Sequence, residues 1–90
     1  MYRLKFSKRA DLDLALLRRN EPKAFEKAEK LLEELQEHPT KGTGHPEQLR
    51  GNRANQWSRR ITSKHRLVYE IEDFEIVVIV ISSYGHYGDK

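Results

Sequence analysis

The chain has 90 residues, 34% of them charged, a net charge of only +3 and no cysteine. A chain of this length buries roughly two-thirds of its unfolded surface in one compact core, so we expect a single domain over residues 1–90. The absence of cysteine excludes a disulfide framework and a thiolate zinc site, and no segment approaches the roughly 20 apolar residues of a membrane span. We therefore expect a cytoplasmic protein that does not enter a membrane.

The basic residues are clustered. Residues 1–10 contain four basic residues and no acidic one, and residues 50–69 contain six Lys or Arg and no acidic one, while the carboxylates lie mainly between these segments. Phosphate groups gain affinity from each charge that is neutralised, so this clustering favours an anionic partner on one basic face. A solvated basic surface is the alternative explanation of the charge pattern alone.

The first third of the chain predicts a strand and two helices. Residues 2–6 alternate apolar and charged side chains, which is typical of a short strand, and Ser7 is suited to cap a helix over residues 8–19. In that helix we expect an apolar stripe to face a sheet, formed by Leu12, Ala15 and Leu16 and widened by Leu14 and Leu17.

A second helix is predicted up to residue 37, with Asn20 as its N-cap and Pro22 in its first turn. Its apolar residues recur on one face, with Glu and Lys outside. The predicted apolar face consists of Phe25, Ala28, Leu31, Leu32 and Leu35.

The second half of the chain predicts strands. A Gly- and Pro-rich loop over residues 40–46 is followed by strand-like segments at 48–50, 56–62, 66–72 and 75–83. Residues 76–81 are apolar and β-branched on both faces, which is typical of a central strand. The element order indicates an α+β fold: a short N-terminal strand, a two-helix hairpin, then an antiparallel β meander with the helices on one face.

Strand alternation separates the two neighbouring arginines. Arg59 shares a face with Trp57 and Ile61, whereas Arg60 points to the opposite face, and Arg66 in the next strand points away from the helices. If these strands form a hairpin, Arg59 or Arg60 lies beside Arg66, and two adjacent guanidinium groups repel unless an anion such as a phosphodiester lies between them. The alternative is that Arg59 and Arg60 form ion pairs with Glu70 or Glu72.

Four motifs occur in order along the chain: Gly44–His45–Pro46–Glu47–Gln48–Leu49, Trp57–Ser58–Arg59–Arg60–Ile61, His65–Arg66–Leu67–Val68–Tyr69 and His86–Tyr87. Together they resemble the YoeB/Txe branch of the RelE-like toxins of bacterial toxin–antitoxin modules. The resemblance covers almost the whole chain and implies a ribosome-dependent messenger RNA endonuclease, although Gly85 stands where the family usually has an aromatic residue.

The resemblance also implies roles for individual residues. Glu47 corresponds to the general base, Arg66 to the arginine at the scissile phosphate and His86 to the general acid, with Arg60 and Tyr87 as supporting residues. Arg50 corresponds to a basic residue near the RNA. Further RNA contacts are expected from three other basic residues of this region, Arg53, Arg59 and Lys64. Trp57 is expected either to stack against an RNA base or to form part of the core.

The chemistry of RNA is consistent with these roles. The 2′-hydroxyl attacks the adjacent phosphate once a base such as Glu47 takes its proton, and a histidine, whose ordinary pKa is about 6.5, can protonate the leaving 5′-oxygen. An arginine such as Arg66 stabilises the charge that grows on the phosphorane. The expected products are a 2′,3′-cyclic phosphate and a 5′-hydroxyl, with no metal or cofactor. His38 and His45 flank prolines in the loop and are not expected to take part.

The resemblance implies several partners. These are an acidic antitoxin of the YefM/Phd type, the ribosome with its messenger RNA, a second copy of the toxin and toxin–antitoxin hetero-oligomers. Two other functions remain open: a toxin of the same fold that inhibits gyrase, as ParE relatives do, and a non-catalytic module that binds RNA or a protein partner through its basic face. The gyrase function does not require Glu47, Arg66 and His86 together.

Overall fold

The computed structural model of the chain describes residues 1–49 and 55–83. These residues form two helices and five strands. In chain order the elements are β1 (Arg3–Phe6), α1 (Lys8–Asn20), α2 (Pro22–Glu37), β2 (Glu47–Gln48), β3 (Gln56–Arg60), β4 (His65–Glu72) and β5 (Glu75–Ser83).

The five strands form one sheet in the order β1-β5-β4-β3-β2. Strands β2 to β5 form an antiparallel meander, and β1 joins the sheet by pairing parallel to β5. The predicted α+β fold is confirmed, and the pairing of β1 makes the sheet mixed. β5 is an interior strand, as its apolar run predicts, but β4 holds the middle position of the sheet. In the part of the chain that is described, no helix has the length and apolar character that crossing a membrane requires.

Both helices bury one face against the sheet. In α2 the buried residues are Ala24, Ala28, Leu31, Leu32 and Leu35, close to the predicted face. In α1 the buried residues are Ala10 and Leu17, with Leu14 packed against them. These positions recur at intervals of three and four residues and therefore share one side of the helix.

The predicted stripe of α1 is wrong at three positions, because Ala15 is exposed and Leu12 and Leu16 are 65% and 52% exposed. Ser7 caps the helix as predicted by accepting a hydrogen bond from the Ala10 N–H at 2.9 Å, and its own N–H donates to the Val78 carbonyl. This anchor places Ala10 against β5. Leu12 and Leu16, each two residues beyond a core-facing position, consequently face the other side of the helix.

The helix junction also differs from the prediction. Asn20 is the last residue of α1 rather than the N-cap of α2. Glu21 occupies the N-cap position of α2 without a capping hydrogen bond from its side chain, and Pro22 is in the first turn, as predicted. The Glu21 carboxylate instead binds His65 at the start of β4, with 2.8 Å between Oε2 and Nε2.

A β-bulge at Ile79 shifts the alternation of β5 by one residue. Val68 pairs with Val80 and Tyr69 with Val78, which leaves Ile79 as the extra residue. The core side is therefore taken by Ile76 and Val78 before the bulge and by Ile81 after it.

Beyond the end of β1, the N-cap of α1 and a side chain from within that helix bind the backbone edge of β5. The Ser7 hydroxyl donates to the Ile79 carbonyl at 2.5 Å, and the Asp13 carboxylate accepts from the Ile81 N–H at 3.1 Å. These bonds satisfy backbone groups that a neighbouring strand would otherwise pair.

Candidate functional site

Arg60 and Arg66 lie directly opposite each other on β3 and β4. Opposed residues of an antiparallel pair point to the same side, so both guanidinium groups lie on the sheet face away from the helices. Arg60 is exposed and Arg66 is half-buried. The structure thus identifies Arg60, rather than Arg59, as the neighbour of Arg66.

Glu47 lies on the same face of the sheet. It pairs with Ser58, which is two residues before Arg60 on β3 and therefore points to the same side as Arg60. An open cleft of about 630 Å³ is lined by Glu47 and Arg60 together with Gly42, His45 and Pro46. A carboxylate that can accept a proton therefore shares a cleft with an arginine, and a second arginine lies on the next strand.

Arg59 is fully buried on the opposite face. Its guanidinium forms an ion pair with Glu34 of α2, and its Nε donates to the Tyr69 hydroxyl at 3.3 Å. The remaining contacts are with loop carbonyls: Nη1 donates to Thr43 at 3.3 Å, and Nη2 donates to Lys41 at 2.6 Å and to His38. The prediction of Arg59 as an RNA-binding residue is therefore wrong, and its carboxylate partner is Glu34 rather than Glu70 or Glu72.

This network has a physical basis. A buried guanidinium is costly unless its N–H groups have partners, and the loop over residues 38–43 supplies them by turning its carbonyls inward. Desolvation raises the pKa of the Glu34 carboxyl, but the Thr43 N–H and the Arg59 guanidinium outweigh it and leave that pKa below its ordinary value. Burial raises the pKa of Tyr69, whose hydroxyl donates to the Pro39 carbonyl at 2.6 Å.

The end of the same loop lies against β3 next to the cleft. The Arg60 N–H donates to the Gly44 carbonyl at 2.7 Å. Gly44 has a φ of 85°, in the left-handed region, and a Cβ at this position would lie 2.8 Å from the Arg60 carbonyl oxygen. Only glycine fits such a close approach without displacement of the loop. Buried Arg59 and the Gly44–Arg60 hydrogen bond together hold the segment that leads into Glu47.

His45, which was not expected to take part, lines the same cleft as Glu47 and Arg60. Its φ of 51° is also in the left-handed region, which is uncommon for a residue with a side chain.

The other predicted RNA contacts have different positions. Trp57 pairs with Tyr69 on the helix-facing side and packs against the core, which favours the core alternative over a stacking platform on the arginine face. Lys64 is exposed in the turn between β3 and β4. Arg50, Arg53, His86 and Tyr87 lie outside the described residues.

Comparisons with known proteins agree with this architecture. A family described as "YoeB-like toxin of bacterial type II toxin-antitoxin system" matches residues 6–87. Toxin YoeB of Synechocystis sp. is 37% identical over 67 residues, which cover 74% of this chain and 78% of the relative.

Two solved structures from Staphylococcus aureus are also similar. The YoeB dimer has a TM-score of 0.83 and 33% identity, with 96% of this chain and 98% of that chain covered. A chain of the heterotetrameric YoeB–YefM toxin–antitoxin complex has a TM-score of 0.80 and 33% identity, with 97% and 99% covered. With the family match over residues 6–87, these similarities show that the chain belongs to the YoeB-like toxins of bacterial type II toxin–antitoxin systems.

Proposed function

We propose that this toxin is a metal-independent, ribosome-dependent endoribonuclease that cuts messenger RNA and thereby inhibits translation. The observation that carries the proposal is the placement of Glu47, Arg60 and Arg66 on one face of the sheet, with Glu47 and Arg60 lining one cleft. A carboxylate and two arginines are suited to proton abstraction and to stabilising a phosphorane.

In the proposed reaction, Glu47 takes the proton of a ribose 2′-hydroxyl, and the 2′-oxygen attacks the adjacent phosphorus. The bond from phosphorus to the 5′-oxygen breaks, giving a 2′,3′-cyclic phosphate and a 5′-hydroxyl. Arg66, assisted by Arg60, stabilises the negative charge that develops on the non-bridging oxygens. The general base contributes roughly 10²–10⁴ to the rate.

The general acid of the proposed reaction is His86, which protonates the leaving 5′-oxygen, with Tyr87 beside it. Both assignments follow from the family resemblance, because the described residues end at Ser83. We also propose that Arg50 and Lys64 contact RNA.

The proposed partners follow from the relatives. One Staphylococcus aureus structure is a complex of YoeB with YefM and another is a YoeB dimer. We propose that this toxin likewise binds an acidic antitoxin of the YefM type, forms a homodimer and acts in the cytoplasm on messenger RNA in the ribosomal A site.

Cleavage by purified protein on programmed ribosomes tests the proposal. Glu47→Gln, Arg66→Ala and His86→Gln are expected to abolish cutting, while ribosome binding is retained. Glu26→Gln and Arg19→Ala change exposed helix residues of the same types and serve as controls. Unchanged cleavage in the Glu47 and Arg66 variants would refute the site. Intact messenger with inhibited DNA supercoiling would favour the gyrase function, and RNA binding without cleavage would favour a binding module.

A further inference from the structure

A second cleft lies on the other side of Arg60 from Glu47. It has a volume of about 410 Å³ and is lined by Lys27, Gly44, His45, Arg60, Ile61, Thr62 and Ser63. Arg60, with its neighbour His45, borders both this cleft and the one that contains Glu47. The two clefts therefore adjoin each other at Arg60 and His45, near the end of β3.

The second cleft carries positive charge and hydrogen-bond donors. Lys27 and Arg60 supply two cationic groups, His45 supplies an imidazole, and Thr62 and Ser63 supply hydroxyls. Among the described residues that line it, none is a carboxylate. The first cleft differs because it contains Glu47.

Lys27 is held at the edge of the second cleft. Its Nζ lies 3.4 Å from the Ile61 carbonyl oxygen, so the side chain extends from α2 across the end of β3. The Glu34 carboxylate lines a neighbouring cleft with Lys27, but it is occupied by the Thr43 N–H, at 2.9 Å, and by Arg59. The positive charge of Lys27 is consequently available to an external anion.

The backbone between the clefts is fixed as well. Gly44 is bonded to the Arg60 N–H, and His45 follows in a left-handed conformation. His45 lines both clefts. The hydrogen bond restrains this backbone, which lowers the entropic cost of ordering a ligand against it.

We propose that this second cleft, which we call the Lys27 cleft, binds the phosphate next to the scissile one in the RNA strand. The inference rests on the proposed RNA substrate. If the scissile phosphate of an RNA strand lies at Arg60 and Arg66, the neighbouring phosphate lies beyond Arg60, in the Lys27 cleft. Binding there is by charge and donor groups, so it is independent of base sequence.

NMR titration of the ¹⁵N-labelled protein with 2′-O-methyl RNA trinucleotides tests the inference, because these ligands lack the nucleophile and weak binding is still measurable. We expect shifts at Gly44, His45 and Ser63. Lys27→Ala is expected to weaken binding about three- to tenfold and to reduce the slope of log K against log salt by about 0.7, the value for one phosphate on a single strand. Lys27→Arg should restore affinity. Lys23→Ala, one turn earlier on the same helix and outside the cleft, should leave it unchanged.

A neutral methylphosphonate at one linkage of the trinucleotide identifies the contact. At the linkage bound by the Lys27 cleft, neutralisation is expected to weaken wild-type binding and to have no further effect in Lys27→Ala. The inference is overturned if Lys27→Ala and Lys23→Ala lose the same affinity, or if no amide resonance shifts at millimolar trinucleotide. It is also overturned if Lys27→Ala weakens binding by its full factor whichever linkage is neutral. Binding in both clefts by a protein that cuts no messenger on ribosomes would refute the proposed nuclease function but not the phosphate subsite.

Discussion

Arg59 and Glu34 form an ion pair between β3 and α2 inside the protein, whereas the very next residue, Arg60, is exposed at the proposed site. The Arg59 side chain has no exposed surface, and its guanidinium also holds the carbonyls of the loop that precedes Glu47. One of two adjacent arginines is thus buried within the fold, and the other is exposed on the face that also carries Glu47.

Removing the Glu34 carboxylate is expected to destabilise the fold. Glu34→Ala leaves the buried Arg59 charge without its ion-pair partner, and we expect the free energy of unfolding to fall by about 3 kcal/mol. This value is at the low end for a buried pair because 31% of the Glu34 side chain is exposed. Urea unfolding measures the change. Glu33→Ala, which removes an exposed carboxylate from the same helix, is the control, and equal losses in both variants would contradict a structural role for the ion pair.

The ion pair also predicts a dependence of stability on pH. In the folded state the pKa of Glu34 is lower than its ordinary value of about 4.3. The ionised carboxylate therefore contributes its full stabilisation of the fold above about pH 4.3, and this stabilisation is lost as the pH falls through the pKa of the folded state. The difference in unfolding free energy between wild type and Glu34→Gln should therefore be constant near pH 7 and shrink below about pH 4. A difference that grows on acidification would show the opposite sign of linkage.

Gly44→Ala is expected to impair the site. The new Cβ would lie 2.8 Å from the Arg60 carbonyl, and the φ of 85° is strained for alanine, at a cost of about 1–3 kcal/mol. Because relief of this strain moves the loop that leads to Glu47, cleavage should fall more than stability alone explains at temperatures where the variant is folded. Thr40→Ala, in an exposed position of the same loop, is the control. Normal cleavage by folded Gly44→Ala would show that the close approach is unnecessary.

Arg60→Gln is expected to separate activity from stability. The side chain is exposed beside Arg66, so its loss should change the free energy of unfolding by no more than about 0.5 kcal/mol. Cleavage on ribosomes should fall at least about tenfold, because one of two groups that stabilise the transition-state charge is lost. A parallel loss of stability and activity would instead indicate a structural role.

The orientation of α1 is tested by adjacent leucines. Leu17 is 5% exposed, and Leu17→Ala should cost about 2–5 kcal/mol by leaving a cavity. Leu16 is 52% exposed, and Leu16→Ala should cost less than about 1 kcal/mol. Thermal or urea unfolding measures both losses of stability. A larger loss in Leu16→Ala than in Leu17→Ala would support the helix face predicted from the sequence.

The sequence by itself determined the element types and the sides of the strands. Period-2 alternation placed Arg59 with Trp57 and Ile61, opposite to Arg60, and the short turn before Arg66 predicted the hairpin, because side-chain direction within a strand is a local property. The apolar face of α2 was equally predictable, because its spacing leaves one consistent side.

Only the tertiary structure decided which arginine is buried, which side of α1 faces the sheet and that His45 lies beside Glu47. Arg59 can be buried because carbonyls from a loop some 20 residues away and Glu34 from α2 satisfy its donors, and alternation contains no information about such distant partners. α1 is oriented by the bonds of Ser7 and Asp13 to β5, about 70 residues away. Contacts of this kind depend on how the elements pack, and they decide which of several plausible side chains form the core and which form the site.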